Sequence, residues 1–153
     1  MNQDLIPSIA NFLKANAAVT SLLANASDSI IPTQVLQSDN FPQLINLPVI
    51  MIQDNGTYGI GRDLPHFQTT VNLRVYDSAQ SPNTTSYARI NKIIWECINA
   101  LDRQTVVSNA SYYADFEIQW DNYISRDMWD EAYKLPVKVV RFRCFGATSI
   151  RNI

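Results

Sequence analysis

The chain is poor in the residues that most often carry out chemistry. Its 153 residues include one histidine, His66, and two cysteines, Cys97 and Cys144. Catalysis by a nucleophile and a histidine needs a serine or cysteine within hydrogen-bond reach of the imidazole, and no Gly-x-Ser-x-Gly turn supplies one. No Cys-x-x-Cys motif indicates zinc. We therefore expect a protein that is not an enzyme and that has no catalytic residues, no metal site and no cofactor.

Charge is also sparse. Charged residues make up 17% of the chain, against about 25% in a typical globular protein, and the net charge is −2. The twelve Lys and Arg residues are scattered apart from Lys138, Arg141 and Arg143. Lasting contact with nucleic acid needs a basic patch, so we expect any contact with DNA to be transient. A surface with few charges is easier to bury against a protein partner.

Long apolar runs are missing too. No stretch approaches the roughly 20 residues that span a bilayer, and residues 1–4 are too polar to begin a signal peptide. We expect no membrane contact and folding in a reducing cytoplasm, where both cysteines stay reduced. Cys97 and Cys144 fall on apolar faces of their segments, which is typical of buried small hydrophobic residues.

The length of the chain predicts one domain over residues 1–153. Apolar residues at helical spacing predict helices over 3–15, 17–24 and 86–101, with Pro7 in the first turn of the first helix. Short or alternating apolar runs predict strands over 30–37, 49–53, 68–76, 111–120 and 135–145, with a hairpin return over 123–133. Pro32 favours an edge position for the first strand. The expected fold is α+β, with an antiparallel or mixed β-sheet of four to six strands and the helices packed mainly on one face.

Residues 54–66 contain three of the four glycines and are predicted to form a loop. This segment lacks the Gly-Lys-Ser/Thr ending of a phosphate-binding loop. Loops of about a dozen residues are often functional or mobile. We expect the loop to become ordered against a neighbouring subunit or against another protein of the assembly, with Arg62, Asp63 and His66 making polar contacts across that interface.

Acidic and aromatic residues gather over residues 112–133. Asp115, Glu117 and Asp121 share one face of the predicted strand, which favours an outward acidic face over a catalytic cleft. Seven aromatic residues lie in the same region: Tyr112, Tyr113, Phe116, Trp120, Tyr123, Trp129 and Tyr133. We expect Phe116 and Trp120 to be core residues. For Tyr123, Trp129 and Tyr133 the sequence leaves core packing and a protein interface open.

Arg141 and Arg143 are predicted to lie on the outer side of the closing strand. Three interpretations remain open: a solvated surface, a subunit interface and a surface that faces DNA in a channel. In an interface, the two guanidinium groups would bind the carboxylates of Asp115, Glu117 and Asp121 on an adjacent copy.

The order of these segments resembles a known family. A helical pair ending in VTSLLA is followed by IIPTQVL, LPVIMIQDNG, FQTTVNLRVYDS, the helix SYARINKIIWECINAL and LPVKVVRFRCFG. This arrangement, over roughly residues 5–145, resembles the tail-terminator or tail-completion proteins of tailed bacteriophages. The resemblance rests on element order and hydrophobic pattern, and the family supplies no catalytic residues to transfer.

The resemblance implies a small α+β virion subunit that forms a ring, usually of six copies. Such a ring caps the tail tube, ends its polymerisation and offers the surface for joining the head. The implied partners are further copies of the chain, the tail-tube protein and a head-completion or connector protein, and DNA only passes through the channel. The chain would reside in the host cytoplasm during assembly and then in the virion. A small cellular adaptor or protein-binding module remains the alternative.

Overall fold

The computed structural model describes residues 2–32, 47–59, 66–78, 87–107 and 116–147. The helices are α1 (Asn2–Lys14), α2 (Ala17–Thr20) and α3 (Ala88–Leu101), with a 3₁₀ turn at Ala26–Ser29. The strands are β1 (Ile30–Pro32), β2 (Val49–Gly59), β3 (His66–Tyr76), β4 (Gln104–Val106), β5 (Phe116–Ile124), β6 (Met128–Asp130) and β7 (Leu135–Ala147).

The strands form one mixed sheet in the order β1-β2-β3-β7-β5-β4, with β6 paired to the beginning of β7. β1 runs parallel to β2, and the other pairs are antiparallel. The predicted α+β class and mixed sheet are confirmed. The described residues form seven strands rather than four to six. The count is higher because β4 and β6 are short strands, of three residues each, at the margins of the sheet. The predicted edge position of Pro32 is also confirmed.

One face of the sheet is covered by helices α1 and α3. The helices contribute a buried stripe that includes Leu5, Ile6, Ile9, Leu13, Ile90, Ile94, Cys97 and Leu101. The sheet contributes alternate residues, including Ile50, Ile52, Val71, Leu73, Val75, Phe116, Ile118, Val140, Phe142 and Cys144. Alternation along each strand therefore turns the intervening residues to the opposite surface. We call that surface the helix-free face.

Two predictions about the helices need correction. Helix α1 begins at Asn2, so Pro7 lies in the second turn and not in the first. The burial of Leu5, Ile6 and Ile9 on the sheet keeps this segment helical although Pro7 lacks an amide hydrogen. Helix α2 ends at Thr20 rather than at residue 24, and Asn16 caps its beginning, since the Val19 amide donates to Asn16 Oδ1 at 3.1 Å.

The glycine-rich segment also differs from its prediction. Residues 54–59 continue β2 and pair with β3, so this part of the segment is strand instead of loop, and residues 60–65 lie outside the described residues. A register shift between Asp54 and Thr57 adds one residue to β2 relative to β3. Such a bulge absorbs residues that would otherwise interrupt the pairing.

The helix-free face has a buried apolar cluster at one end. Val49, Met51, Tyr76 and Val137 form a small second cluster there. It is covered by half-buried side chains from β6 and from the turn before β7, among them Met128 and Tyr133. The rest of this face is mostly polar and has no helix across it in the described part of the chain.

Candidate functional site

The polar part of the helix-free face carries three arginines on two neighbouring strands. Arg74 lies on β3, and Arg141 and Arg143 lie on β7. Arg74 Nε donates to Gln53 Oε1 at 2.7 Å, and Arg141 Nε donates to Asn72 Oδ1 at 3.3 Å. Neutral amides therefore orient two of the guanidinium groups without cancelling their charge.

Arg143 differs because it has a carboxylate partner in its own chain. Its Nε lies 3.1 Å from Asp121 Oδ1, and the side chains are 46% and 31% exposed. Asp121 and Asn122 are the two extra residues that β5 has at its register shift, between the pairs Trp120–Phe142 and Tyr123–Arg141. The expected pairing of Asp121 with an adjacent copy therefore competes with an ion pair inside the subunit.

Aromatic side chains surround the same part of β5. The guanidinium carbon of Arg141 lies 4.4 Å from the ring centroid of Tyr123, which is 40% exposed. Trp95 of α3 is 50% exposed and packs edge-to-face against Trp120, with 5.6 Å between their ring centroids. We call Trp95, Trp120 and Tyr123 the aromatic edge. Trp120 was expected to be a core residue. It is only partly buried and packs against the outside of the hydrophobic core.

The backbone of β5 is protected along this edge. β4 pairs with β5 only as far as Ile118. Beyond that point the Trp120 amide donates to Asp102 Oδ1 at 2.9 Å, and the Trp120 indole donates to the Tyr123 carbonyl at 3.3 Å. Side chains thus occupy backbone groups that another chain would need for strand addition. This edge offers aromatic and arginine side chains to a partner rather than an open strand.

The structure brings together some of the residues singled out from the sequence. Glu117, Tyr123, Arg141 and Arg143 all lie on β5 or β7, and Glu117 Oε1 accepts a hydrogen bond from Gln119 at 3.1 Å. Trp129 is half-buried on β6 opposite Pro136. That position is five residues along β7 from Arg141, or about 17 Å at ~3.4 Å per residue. Trp129 therefore does not belong to the aromatic edge.

The other predicted contact residues cannot be placed in the same way. Arg62, Asp63 and Asp115 lie outside the described residues. His66 begins β3, where its backbone pairs with Ala147. Their proposed role in contacts between subunits stays a prediction.

An ion pair between a buried carboxylate and a half-exposed guanidinium joins the end of β3 to the beginning of α3. Asp77 is 4% exposed and receives two hydrogen bonds from Arg89, one of them from Nε at 2.8 Å. The hydrogen bond to Asp77 raises the pKa of Arg89. The Ser78 amide also donates to Asp77 Oδ1 at 2.7 Å. These contacts fix the position of α3 on the sheet.

Two buried titratable groups favour their neutral forms. Burial, followed by the nearby charge of Glu96, raises the pKa of Cys97 to about 12. Burial, with the nearby Asp130 carboxylate, raises the pKa of Tyr76, whose hydroxyl donates to Asp130 Oδ2 at 3.0 Å. Since the thiolate is the reactive form of cysteine, Cys97 contributes packing rather than nucleophilicity at neutral pH. The expected burial of both cysteines is confirmed.

Sequence reasoning missed Arg74, Trp95 and the ion pair of Asp77 and Arg89. Trp95 was detectable in principle, because it falls among the polar residues of α3 and off the apolar stripe. In the described ranges, no His, Cys, Asp and Glu side chains gather in groups of three or more that suit a metal ion. The helices described here include none with the length and apolar character of a membrane span.

Comparisons with known proteins point to the fold. No protein-family model matches the sequence, and the search of curated proteins gives no match. A chain from a structure described as the virion of a native gene transfer agent particle is similar over 95% of this chain and 96% of its own length. The TM-score is 0.66 and the sequence identity is 11%. The whole described architecture, and not one motif of it, is therefore shared with a chain from a virion.

Proposed function

We propose that this chain is a structural virion protein that forms a ring, most simply of six copies, on the end of a phage tail tube. The ring ends tail polymerisation and provides the surface for joining the head. The observation that carries the proposal is the full-length likeness of fold to a chain from a virion particle. The order of elements that resembles tail-terminator proteins supports the finer role.

The surface chemistry suits assembly. Trp, Tyr and Arg are the residue types that most often dominate protein interfaces, and all three meet at the aromatic edge and around Arg141. Identical subunits joined head to tail by rotation close into a ring with two different faces. Such a ring binds the tail tube on one face and a head-completion protein on the other, while DNA crosses its channel in transit.

In this proposal no step is catalytic and no cofactor takes part. Tyr123, Arg141 and Arg143 contact the neighbouring copy, and Glu117 lies beside them. Arg74 and Arg141 support this role because, among the described residues, neither makes an ion pair with a carboxylate. A neighbouring subunit that supplies carboxylates would therefore gain charge-assisted hydrogen bonds.

Deleting the gene for this chain from the genome that encodes the particle tests the function directly. Particles assembled without it should contain tail tubes of uncontrolled length that carry no heads, as measured by electron microscopy. Supplying the wild-type chain should restore tube length and head joining. Normal tube length without the chain would contradict the proposal. Binding to a cellular protein, together with normal particles, would favour the adaptor alternative.

A further inference from the structure

A small polar pocket lies beside the β5 bulge and shares Arg143 and Trp120 with the contact surface described above. Its volume is about 180 Å³, and its lining residues are Asp102, Arg103, Gln119, Trp120, Asn122 and Arg143. The lining thus includes two arginines, two residues with neutral amides, one tryptophan and one carboxylate, that of Asp102, around a space large enough for an acidic side chain. We propose that this pocket binds a carboxylate on an acidic segment of a neighbouring protein, a proposal that rests on the assembly function above.

Arg103 is the first reason. Its side chain is exposed, and no carboxylate in the described part of the chain lies within ion-pair distance of it. Its backbone has φ of 61°, just after the end of α3. Glycine fills such a position at lower cost than any residue with a side chain. The chain nevertheless retains a long cationic side chain there, beside the pocket.

The second reason is that the carboxylates near the pocket already have partners. Asp102 accepts a hydrogen bond from the Trp120 amide, and Asp121 forms an ion pair with Arg143. Only one edge of the Arg143 guanidinium is used by that contact, and the terminal nitrogens remain as donors. A planar carboxylate matches the fork of an arginine, which donates two parallel hydrogen bonds to it.

The carboxylates of Asp102 and Asp121 favour an acidic protein segment over a nucleic acid as the partner. Asp102 and Asp121 repel any anion that enters, and they repel a phosphate chain with its repeated charges more than a single carboxylate. The net charge of −2 acts in the same direction. The pocket therefore fits an acidic protein segment better than a nucleic-acid backbone.

Fluorine NMR of the full-length chain labelled with fluorotryptophan tests the proposal. Trp120 lines the pocket, while Trp129 on β6 serves as an internal control. The probe is the capped peptide Gly-Glu-Glu-Glu-Gly, with Gly-Gln-Gln-Gln-Gly as its neutral match. The acidic peptide should shift the Trp120 signal saturably and leave Trp129 unchanged, and the neutral peptide should shift neither.

Two substitutions locate the binding. Arg103→Asn removes the charge and keeps a residue type that tolerates a positive φ, and Arg143→Gln removes the other guanidinium. Each should weaken peptide binding about tenfold, because each removes a charge-assisted hydrogen bond. Arg126→Gln, at an exposed arginine that does not line the pocket, should change nothing. If Arg103→Asn fails to fold, Arg103→Gly serves the same purpose.

Equal binding of the neutral peptide, or full binding by the Arg103 variant, would overturn the proposal. Tighter binding of a short oligothymidylate than of the acidic peptide would replace it with nucleic-acid binding. Light scattering on the same samples reports ring formation separately. A ring that forms without peptide binding removes only the pocket proposal, and peptide binding by a chain that never assembles removes only the ring.

Discussion

The two faces of the sheet are built from the same strands and differ in almost everything else. On the helix-covered face, Val140, Phe142 and Cys144 of β7 are completely buried. On the helix-free face, the intervening Arg141 and Arg143 are partly exposed and are held by single polar contacts. A strand can thus place its stabilising residues on one side and its contact residues on the other. Substitutions on the first side should affect folding, and those on the second should affect assembly.

Phe142 and Arg143 give the largest expected contrast between the two faces. Phe142→Ala removes a fully buried ring and should lower the free energy of unfolding by about 3–5 kcal/mol. Arg143→Ala, one residue along, should change it by less than about 1 kcal/mol, because its ion pair is exposed. Denaturant unfolding of both variants measures the difference. Similar losses for the two would show that the helix-free face also holds the fold together.

Removing the ion pair between Asp77 and Arg89 tests how much it stabilises the packing of helix α3 on the sheet. Arg89→Ala leaves the buried Asp77 carboxylate without its cation and should cost about 1–3 kcal/mol. The loss stays in this range because Ser78 still donates to Asp77. Arg126→Ala is the matched control, since it removes an exposed arginine. A loss no greater than the control's would mean that the pair does not stabilise the packing of α3.

Alkaline pH should weaken the fold, mainly through Cys97 on the helix-covered side. The pKa of Cys97 is raised from 9.0 to about 12, so the unfolded chain loses this proton first. Stability is then fully present below about pH 9 and falls as the pH rises from about 9 towards 12, and Tyr76 adds to the loss above pH 10. Cys97→Ala should reduce the slope in that range. A free energy of unfolding that stays constant between pH 9 and 11 would contradict the burial argument.

Substitution of Asn72 should change the free energy of unfolding least. Asn72→Ala removes one neutral hydrogen bond to Arg141, with a distance of 3.3 Å between Oδ1 and Nε. We expect a loss of no more than about 0.5–1 kcal/mol. Denaturant unfolding measures this loss. A loss comparable to that of Phe142→Ala would show that the polar side chains of the helix-free face stabilise the fold as much as the core does.

Sequence alone predicted the elements whose apolar pattern is long and regular. Helix α3 and strands β3 and β7 lie within about two residues of their predicted bounds, because each has a stripe or an alternation that only one structure satisfies. Strands β4 and β6 are three residues long, which is too short to show a period. The extension of β2 through Gly59 was hidden because glycine indicates a turn unless a partner strand is known.

The candidate site was predicted less well, for a physical reason. Alternation showed that Arg141 and Arg143 face away from the core, and the structure agrees. It could not show that two extra residues in β5 carry Asp121 to Arg143, because a bulge depends on the pairing of distant strands. The meeting of Trp95 and Trp120 likewise depends on how α3 crosses the sheet.

The central claim is that the helix-free face is an assembly surface. Light scattering after size-exclusion chromatography tests it on the wild-type chain, on the double variant Arg141→Glu with Arg143→Glu, and on the control Arg126→Glu, with added tail tube where the free chain stays monomeric. The account predicts a closed oligomer near six times the 17.3 kDa chain mass for the wild type and the control. It predicts a folded, unassembled subunit for the double variant. Assembly of the double variant as complete as that of the control would contradict the claim.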